Sequence, residues 1–429
     1  METGEGAVRL STLENGLRVV TQAMPHVATA AVGVWVGAGA RHERGHEHGL
    51  SHLLEHMAFK GTGRRDARAI AEAIEAVGGD FNAETGVEHT SYTVRLMGRD
   101  VPLGIEILAD ILVDSRFDEV ELAREKNVIL QEIGAVEDTP DDLAADLFLE
   151  AAFRGQALGR SILGTPQSVR AFTRADILAC LARNYRAPRM VLSAVGAVDH
   201  EAVVAQARRL LSTLPAAEPP PPAPARYLGG EILLDRDLEQ AQLLIGFRGL
   251  SCVSEAAYAM QVFVHLLGGG MSSRLFQEVR ESRGLAYSVD AFHWGFADTG
   301  LFGMSAGTAP EDVEELAPVL IDTLREAARD ATAAEVSRAR EQLKVAHLSA
   351  LESPMARADQ IARQLLALGR VLPQDEVIVK LDLITLDDIR FVAGGLMESE
   401  PTFALVGPLP EEVDGVVRVV RGLKSASGG

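Results

Sequence analysis

The sequence predicts an α+β protein built from two tandem, homologous halves, on three observations. First, a proline-rich segment, Pro215-Ala-Ala-Glu-Pro219-Pro-Pro-Pro-Ala-Pro224-Ala, interrupts the 429-residue chain near its midpoint. Five prolines between 219 and 224 remove backbone donors and keep this stretch extended. Second, short echoes recur on either side of it at nearly one offset. Thr173-Arg-Ala-Asp176-Ile177, with an apolar run closing at Val195-Gly196, is matched 212 or 211 residues on by Thr385-Leu-Asp-Asp388-Ile389 and a run closing at Val406-Gly407. Glu119-Val120…Arg124-Glu125 is matched by Glu335-Val336…Arg340-Glu341 at an offset of 216. Third, strand-like and helix-like patterns occur in the same order in both halves. The expected organisation is residues 1–215, a linker over 216–225, and residues 226–429, in keeping with about 100–200 residues per domain.

Asn15-Gly16 predicts a hairpin turn, because this pair suits positions that need positive φ. Residues 30–36 read as a buried strand. Ala69, Ile70, Ala73, Ile74 and Val77 have helical spacing, and Gly78-Gly79 stops that helix. Residues 90–96 alternate as a half-buried strand does. Helices are expected over about 100–114, 118–137, 141–152, 174–185 and 200–213. The second half repeats the pattern, with strands near 231–247 and 286–306.

Composition narrows the function classes. With 47% hydrophobic and 24% charged residues the chain can bury sizeable cores. A net charge of −20 argues against nucleic acid or an anionic membrane surface as partner and leaves room for basic substrates. The 2 cysteines, Cys180 and Cys252, fit neither a disulfide framework nor a thiolate zinc site, which suits a reducing compartment. The start, Met-Glu-Thr-Gly-Glu-Gly, lacks a signal peptide's basic and apolar regions and is too acidic for a transit peptide. The most apolar stretch, residues 28–40, falls short of the roughly 18–20 residues a membrane helix needs. A soluble, cytoplasmic protein is expected.

One motif is sharp: His52-Leu-Leu-Glu55-His56. On a helix His56 lies about 40° round from His52 and Glu55 about 60° the other way, so the three share a face. Two imidazoles one turn apart can clamp a divalent metal. A carboxylate beside them can take a proton from a water that the metal activates. This is HxxEH, the inverse of HExxH. A random chain of this composition would hold the pattern about 0.02 times, so chance is a poor source. The alternative, a solvated helix, conflicts with Leu53, Leu54, Met57 and Phe59 around the motif, because a buried His-Glu-His face must be paired or metal-bound. A third ligand should come from another element. Glu125 and Glu132, seven apart on the 118–137 helix, are nearly in line and about 10 Å apart along its axis. One could bind the metal and the other orient a ligand, and spacing alone does not choose between them. Val120, Val128, Ile129 and Ile133 imply that this helix packs. His42, His46 and His48, in a Gly-rich loop, read as solvated polar residues, and His89, His265, His293 and His347 as structural ones.

Taken together, His52-Leu-Leu-Glu-His56-Met-Ala-Phe-Lys-Gly-Thr and the more distant Glu132 resemble the pitrilysin-type inverzincin metallopeptidases. Within them the chain is most similar to the mitochondrial processing peptidase β-subunit group and its bacterial homologues, over nearly the whole length. The resemblance implies His52, His56 and Glu132 as ligands of one Zn2+ per chain, Glu55 as general base and Glu125 as a supporting carboxylate behind the ligands. Phe81-Asn82-Ala83 corresponds to an edge strand on which an extended substrate backbone pairs, with Asn82 and Ala83 as binding residues. Glu84 departs from the aromatic or small residue expected after them. The segment from Leu275 to Ser288 resembles the family segment that reaches the zinc from the second half. Arg280 would then bind substrate, and Tyr287 would bind it and donate to the oxyanion. The offsets place no HxxEH in the second half, and Glu132 maps to Leu348, so a single site is expected.

These residues and the resemblance together imply a zinc endopeptidase acting on extended or unfolded peptides, with basic presequence-like peptides suiting the acidic balance. Each half would be an α/β roll, a mixed, mostly antiparallel sheet with helices on one face, the two enclosing a cavity. The resemblance also implies a dimer, with a second copy or with an inactive paralogue. The competing reading is a non-catalytic structural or partner subunit, which an intact ligand set speaks against.

Overall fold

The computed structural model describes residues 6–422. Residues 1–5, which supply most of the acidic N-terminal stretch, lie outside them. The first sheet contains β1 (Arg9–Thr12), β2 (Arg18–Ala23), β3 (Thr29–Val36), β4 (Asp80–Thr85), β5 (Thr90–Met97) and β6 (Met190–Gly196). The second contains β7 (Gly230–Asp235), β8 (Ala241–Gly249), β9 (Ala286–Gly295), β10 (Gly300–Thr308) and β11 (Thr402–Gly407). Their spatial orders are β1-β2-β6-β3-β5-β4 and β7-β11-β8-β10-β9. Each sheet has one parallel pair, β2 with β6 and β7 with β11, and is otherwise antiparallel. Without β1 the two orders coincide strand for strand, the architecture expected of a duplicated chain. The expected strand regions over 231–247 and 286–306 are each a pair of strands. Gly16, with φ +91°, turns the chain between β1 and β2, as Asn-Gly implied.

Strand β3 shows why the first sheet reads as continuously apolar. Its residues point alternately to the two faces, and both faces are covered. On one side Val32 and Val34 join Tyr92, Leu192, Leu54, Met57, Ile105 and Ile129 in the main core. That side is roofed by helices α1 (Leu50–Ala58), α2 (Ala67–Glu75), α3 (Val101–Val113) and α4 (Glu119–Glu137). On the other side Ala31 and Trp35, with Val20, Met24 and Val195, are buried under Ala358, Ile361, Ala362 and Leu365. These four belong to helix Pro354–Leu368, from the second half of the sequence. The Trp35 indole N–H donates to Asp359 at 2.9 Å, and Arg18 donates to the Leu365 carbonyl at 2.6 Å.

The second sheet is completed in the same way. Helix α5 (Pro140–Ala152), from the first half, packs on β11, β8 and β7, and Phe148 meets the Phe292 ring edge-on at 5.9 Å between centroids. Besides the helices expected on one face, each sheet therefore carries one on its other face, exchanged between equivalent places in the halves. The compact units accordingly cross the linear boundary. One unit comprises residues up to Ile133, Arg160–Ala223 and Leu348–Val371; the other comprises Gly134–Gly159, Pro224–His347 and the chain from Leu372.

Candidate metal centre

The centre is built on α1, whose start is fixed by two devices. Gly49 precedes the helix with φ +91°, and a Cβ there would lie 2.6 Å from the Leu163 carbonyl oxygen, so glycine is required. The Glu43 carboxylate then accepts from the N–H groups of Gly49 (2.9 Å) and Ser51 (2.6 Å), satisfying donors that have no partner within the helix. Burial pushes the Glu43 carboxyl up to about 7 even though the Ser51 and Gly49 N–H groups pull it down. Upstream, buried Glu47 takes a bidentate pair from Arg183 at 2.8 and 2.6 Å. The expectation of a solvated histidine loop therefore holds for His46 alone. His48 bonds the Ser161 carbonyl at 2.8 Å, and Nδ1 of half-buried His42 accepts from the Gly39 N–H at 3.2 Å.

Helix α4 faces α1 with the arc that contains Leu122, Glu125, Ile129, Glu132 and Ile133, all within about 100° at 100° per residue. Of the four apolar residues that imply packing, Ile129 and Ile133 pack, together with Leu122, whereas Val120 and Val128 fall outside that arc and are exposed. Glu132 and Glu125 approach the histidines from positions about two turns apart. Glu132 Oε2 lies 2.9 Å from His52 Nε2 and 3.6 Å from His56 Nε2. Glu125 Oε2 lies 3.0 Å from His56 Nδ1, and its other oxygen meets the Lys60 ammonium at 2.8 Å. One ring nitrogen of His56 thus bonds buried Glu125 and the other is directed at Glu132, an arrangement that fixes the tautomer of a ligating imidazole.

This donor set suits a zinc ion. Two ligand atoms about 2.1 Å from one tetrahedral ion are about 3.4 Å apart, and 2.9 and 3.6 Å bracket that separation. One atom each from His52, His56 and Glu132 lies within 4.8 Å of the others, and among the described residues no other group of His, Cys, Asp or Glu does this. Glu55 is beside them, its Oε2 3.8 Å from His52 Nδ1 and 2.5 Å from the Thr85 hydroxyl, which donates to it.

Asn82 and Ala83 lie on β4, an edge strand of the first sheet. Phe81, Ala83 and Thr85 turn inward, with Phe81 stacked on Phe59 at 4.8 Å, while Asn82 and Glu84 face out. Arg280 and Tyr287 belong to the other unit and come together there. The Arg280 guanidinium lies 4.5 Å from the Tyr287 ring centroid and 4.9 Å from that of Phe276, on π-helical turns Phe276–Ser282. Residues that sequence reasoning missed are Lys60, Thr85 and Glu43. Lys60 closely follows the HxxEH helix and Thr85 closely follows Asn82-Ala83, yet nothing in local spacing connects either to the centre.

Two histidines and a glutamate converging on one point, with a second carboxylate alongside, define a metallopeptidase-type centre on an α+β scaffold. Comparison with known proteins gives the family. The model for "Insulinase (Peptidase family M16)" matches residues 18–166, and that for "Peptidase M16 inactive domain" matches residues 171–343, where the described residues hold no metal cluster. An "uncharacterized zinc protease" of Streptomyces coelicolor is 40% identical over 96% of this chain and 92% of its own. One of Rickettsia felis is 39% identical over 93% and 97%. The "Probable mitochondrial-processing peptidase subunit beta, mitochondrial" of Arabidopsis thaliana is 36% identical over 95% and 79%, in line with the group the motif resembles. The chain belongs to peptidase family M16, a family of zinc proteases. Crystal structures of a protease from Helicobacter pylori and of a peptidase M16 inactive domain from Pseudomonas fluorescens share the fold. Each has a TM-score of 0.87 at 20% identity; coverage is 94% of this chain and 100% and 99% of theirs. Among the described residues no helix is long and apolar enough to cross a membrane.

Proposed function

We propose that the chain is a zinc-dependent endopeptidase for extended or unfolded peptides, with its metal ligands and base on the unit that carries α1. The reading rests on the convergence of His52 Nε2 and His56 Nε2 on Glu132 Oε2, with Glu55 beside them. His52, His56 and Glu132 would hold the ion, one per chain. What zinc supplies when bound is Lewis acidity, polarising a carbonyl and lowering the pKa of a water to about 7. Glu125, neutralised by Lys60, keeps His56 in the ligating tautomer. Glu55 takes a proton from the attacking water and passes it to the leaving amine as the amide C–N bond breaks. The free edge of β4 offers main-chain groups to an extended backbone. Glu84 on its outer face, with the net charge of −20, favours basic peptides.

The test compares wild type with Glu55→Gln for zinc content and for cleavage of a quenched basic-peptide library. The expected result is about one zinc per chain in both, and hydrolysis lowered at least about 10²-fold in the variant. Full activity in Glu55→Gln would remove it as the base. Wild type that binds zinc without turnover would point to a partner subunit or scaffold. A dimer, implied by resemblance, belongs to the same proposal and is read by light scattering.

A further inference from the structure

The edge strand β4 ends at Thr85, and that residue reaches into the centre. Its hydroxyl, on a residue only 8% exposed, lies 2.5 Å from Glu55 Oε2 and 3.5 Å from the Ser51 carbonyl oxygen. A hydroxyl has one proton to give. The shorter contact, in the range of about 2.5–2.7 Å for O–H···O⁻ bonds, takes it. Among the described residues this is the only hydrogen bond to the Glu55 carboxylate, because His52 Nδ1, at 3.8 Å, is too far for one. One carboxylate oxygen is thereby tied down and the other, Oε1, is left for a water proton.

Thr85 is itself well held. It pairs in register with Thr90 on β5, and the Thr90 hydroxyl donates to the Ala38 carbonyl at 2.9 Å. Inward alternation along β4 puts Phe81, Ala83 and Thr85 on the side that packs on α1. The strand whose open edge carries Asn82 and Ala83 is therefore the strand that fixes the carboxylate. We infer that Thr85 is a positioning residue: its hydroxyl sets the rotamer of Glu55 and ties the base to the strand on which substrate would lie. This rests on the reading of Glu55 as the base.

The experiment measures kcat, KM and zinc affinity, the last by chelator competition, for wild type, Thr85→Val, Thr85→Ser and Glu55→Gln. Thr85→Val keeps the shape and loses the donor. It should lower kcat by about 10- to 100-fold, the order expected when a reacting group is mispositioned, with KM and zinc affinity within about twofold of wild type. Thr85→Ser, which restores the hydroxyl, should recover most of the lost kcat. Wild-type kcat in Thr85→Val overturns the inference, as does an unchanged kcat with raised KM. A parallel loss of zinc affinity, or a Ser variant as slow as Val, would show a packing role and also overturn it. Should Glu55→Gln retain full activity, it is the underlying reading of the base that fails, whatever the Thr85 variants do.

Discussion

Glu125 serves a metal ligand without being directed at the ion's place. Buried and 3.0 Å from His56 Nδ1, it needs Lys60 to offset its charge, and together they orient one imidazole. Outer partners of this kind are typically worth 10- to 100-fold in metal affinity. Glu125→Gln should weaken zinc binding by about that factor while leaving the far-ultraviolet circular dichroism unchanged, and Glu132→Gln should weaken it further. Chelator competition decides this; equal affinities for Glu125→Gln and wild type would return Glu125 to a purely structural place. At this scale the sequence is legible where contacts are local. His52, Glu55 and His56 stand at i, i+3 and i+4, so one turn of helix determines their meeting. Glu125 and Glu132 are also one helix's residues, but their partners lie on another, so spacing could only narrow the choice to two. Thr85 and Lys60 reach the centre through tertiary packing, which has no period to read.

At the scale of elements, helix period and strand alternation found most segments, because each face answers to water or core along its own length. What periodicity does not contain is the destination of an amphipathic helix. Helix Pro354–Leu368 looks like any second-half helix, yet Ile361 and Leu365 are buried against Trp35 and Val195 of the first sheet. Covering both faces of β3 is what lets it be apolar throughout. A fragment of residues 1–225 would expose Val20, Met24, Ala31, Trp35 and Val195, a face too apolar for a stable monomer. In a Trp294→Phe background Trp35 is the only tryptophan, since the chain has 2. Its emission should be red-shifted in the fragment and return to the blue when residues 226–429 are co-expressed. A fragment that is monomeric, blue-emitting and cooperatively folded alone would mean that this helix is dispensable. A milder form of the same test is Ile361→Ala, a fully buried truncation expected to cost about 2–5 kcal/mol. That loss should register in the Trp35 signal although the substitution lies in the second half of the sequence.

Across the whole molecule, duplication was legible because matched capping segments, Thr173 with Asp176 and Thr385 with Asp388, recur at one offset, and both form the reciprocal hydrogen bonds of a capping box. The duplication kept the sheet order in both halves, yet the described residues hold only one metal cluster, so stability and chemistry are distributed differently, and stability can be probed away from the metal. Above about pH 4.5 the acid limb of stability should come largely from three half-buried histidines outside the centre. Desolvation lowers His42, His89 and His293 to about 4. For two of them the geometry agrees: His42 Nδ1 and His293 Nε2 accept backbone N–H groups from Gly39 and Leu250, as only an uncharged nitrogen can. Between about 4 and the ordinary 6.5 the unfolded chain carries protons on these rings that the folded chain does not. Stability from each is therefore complete above about 6.5 and lost as pH falls through about 4, by at most about 3 kcal/mol apiece. Glu43 works the other way. Its raised carboxyl holds a proton that the unfolded chain releases, so its share is lost as pH rises from about 4.5 through 7. His200 is lowered in the same direction and Asp290 raised in the same direction as Glu43, so the lowered histidines still outnumber the raised carboxyls and leave a net rise in unfolding free energy between about pH 4.5 and 6.5. His293→Gln keeps an acceptor for the Leu250 N–H and removes the titration, so it should take away roughly a third of what these three rings contribute to that slope. Urea midpoints at half-unit pH steps on metal-free protein measure it. A wild-type profile flat or falling over that window would mean that these rings are as free to take a proton in the folded chain as in the unfolded one.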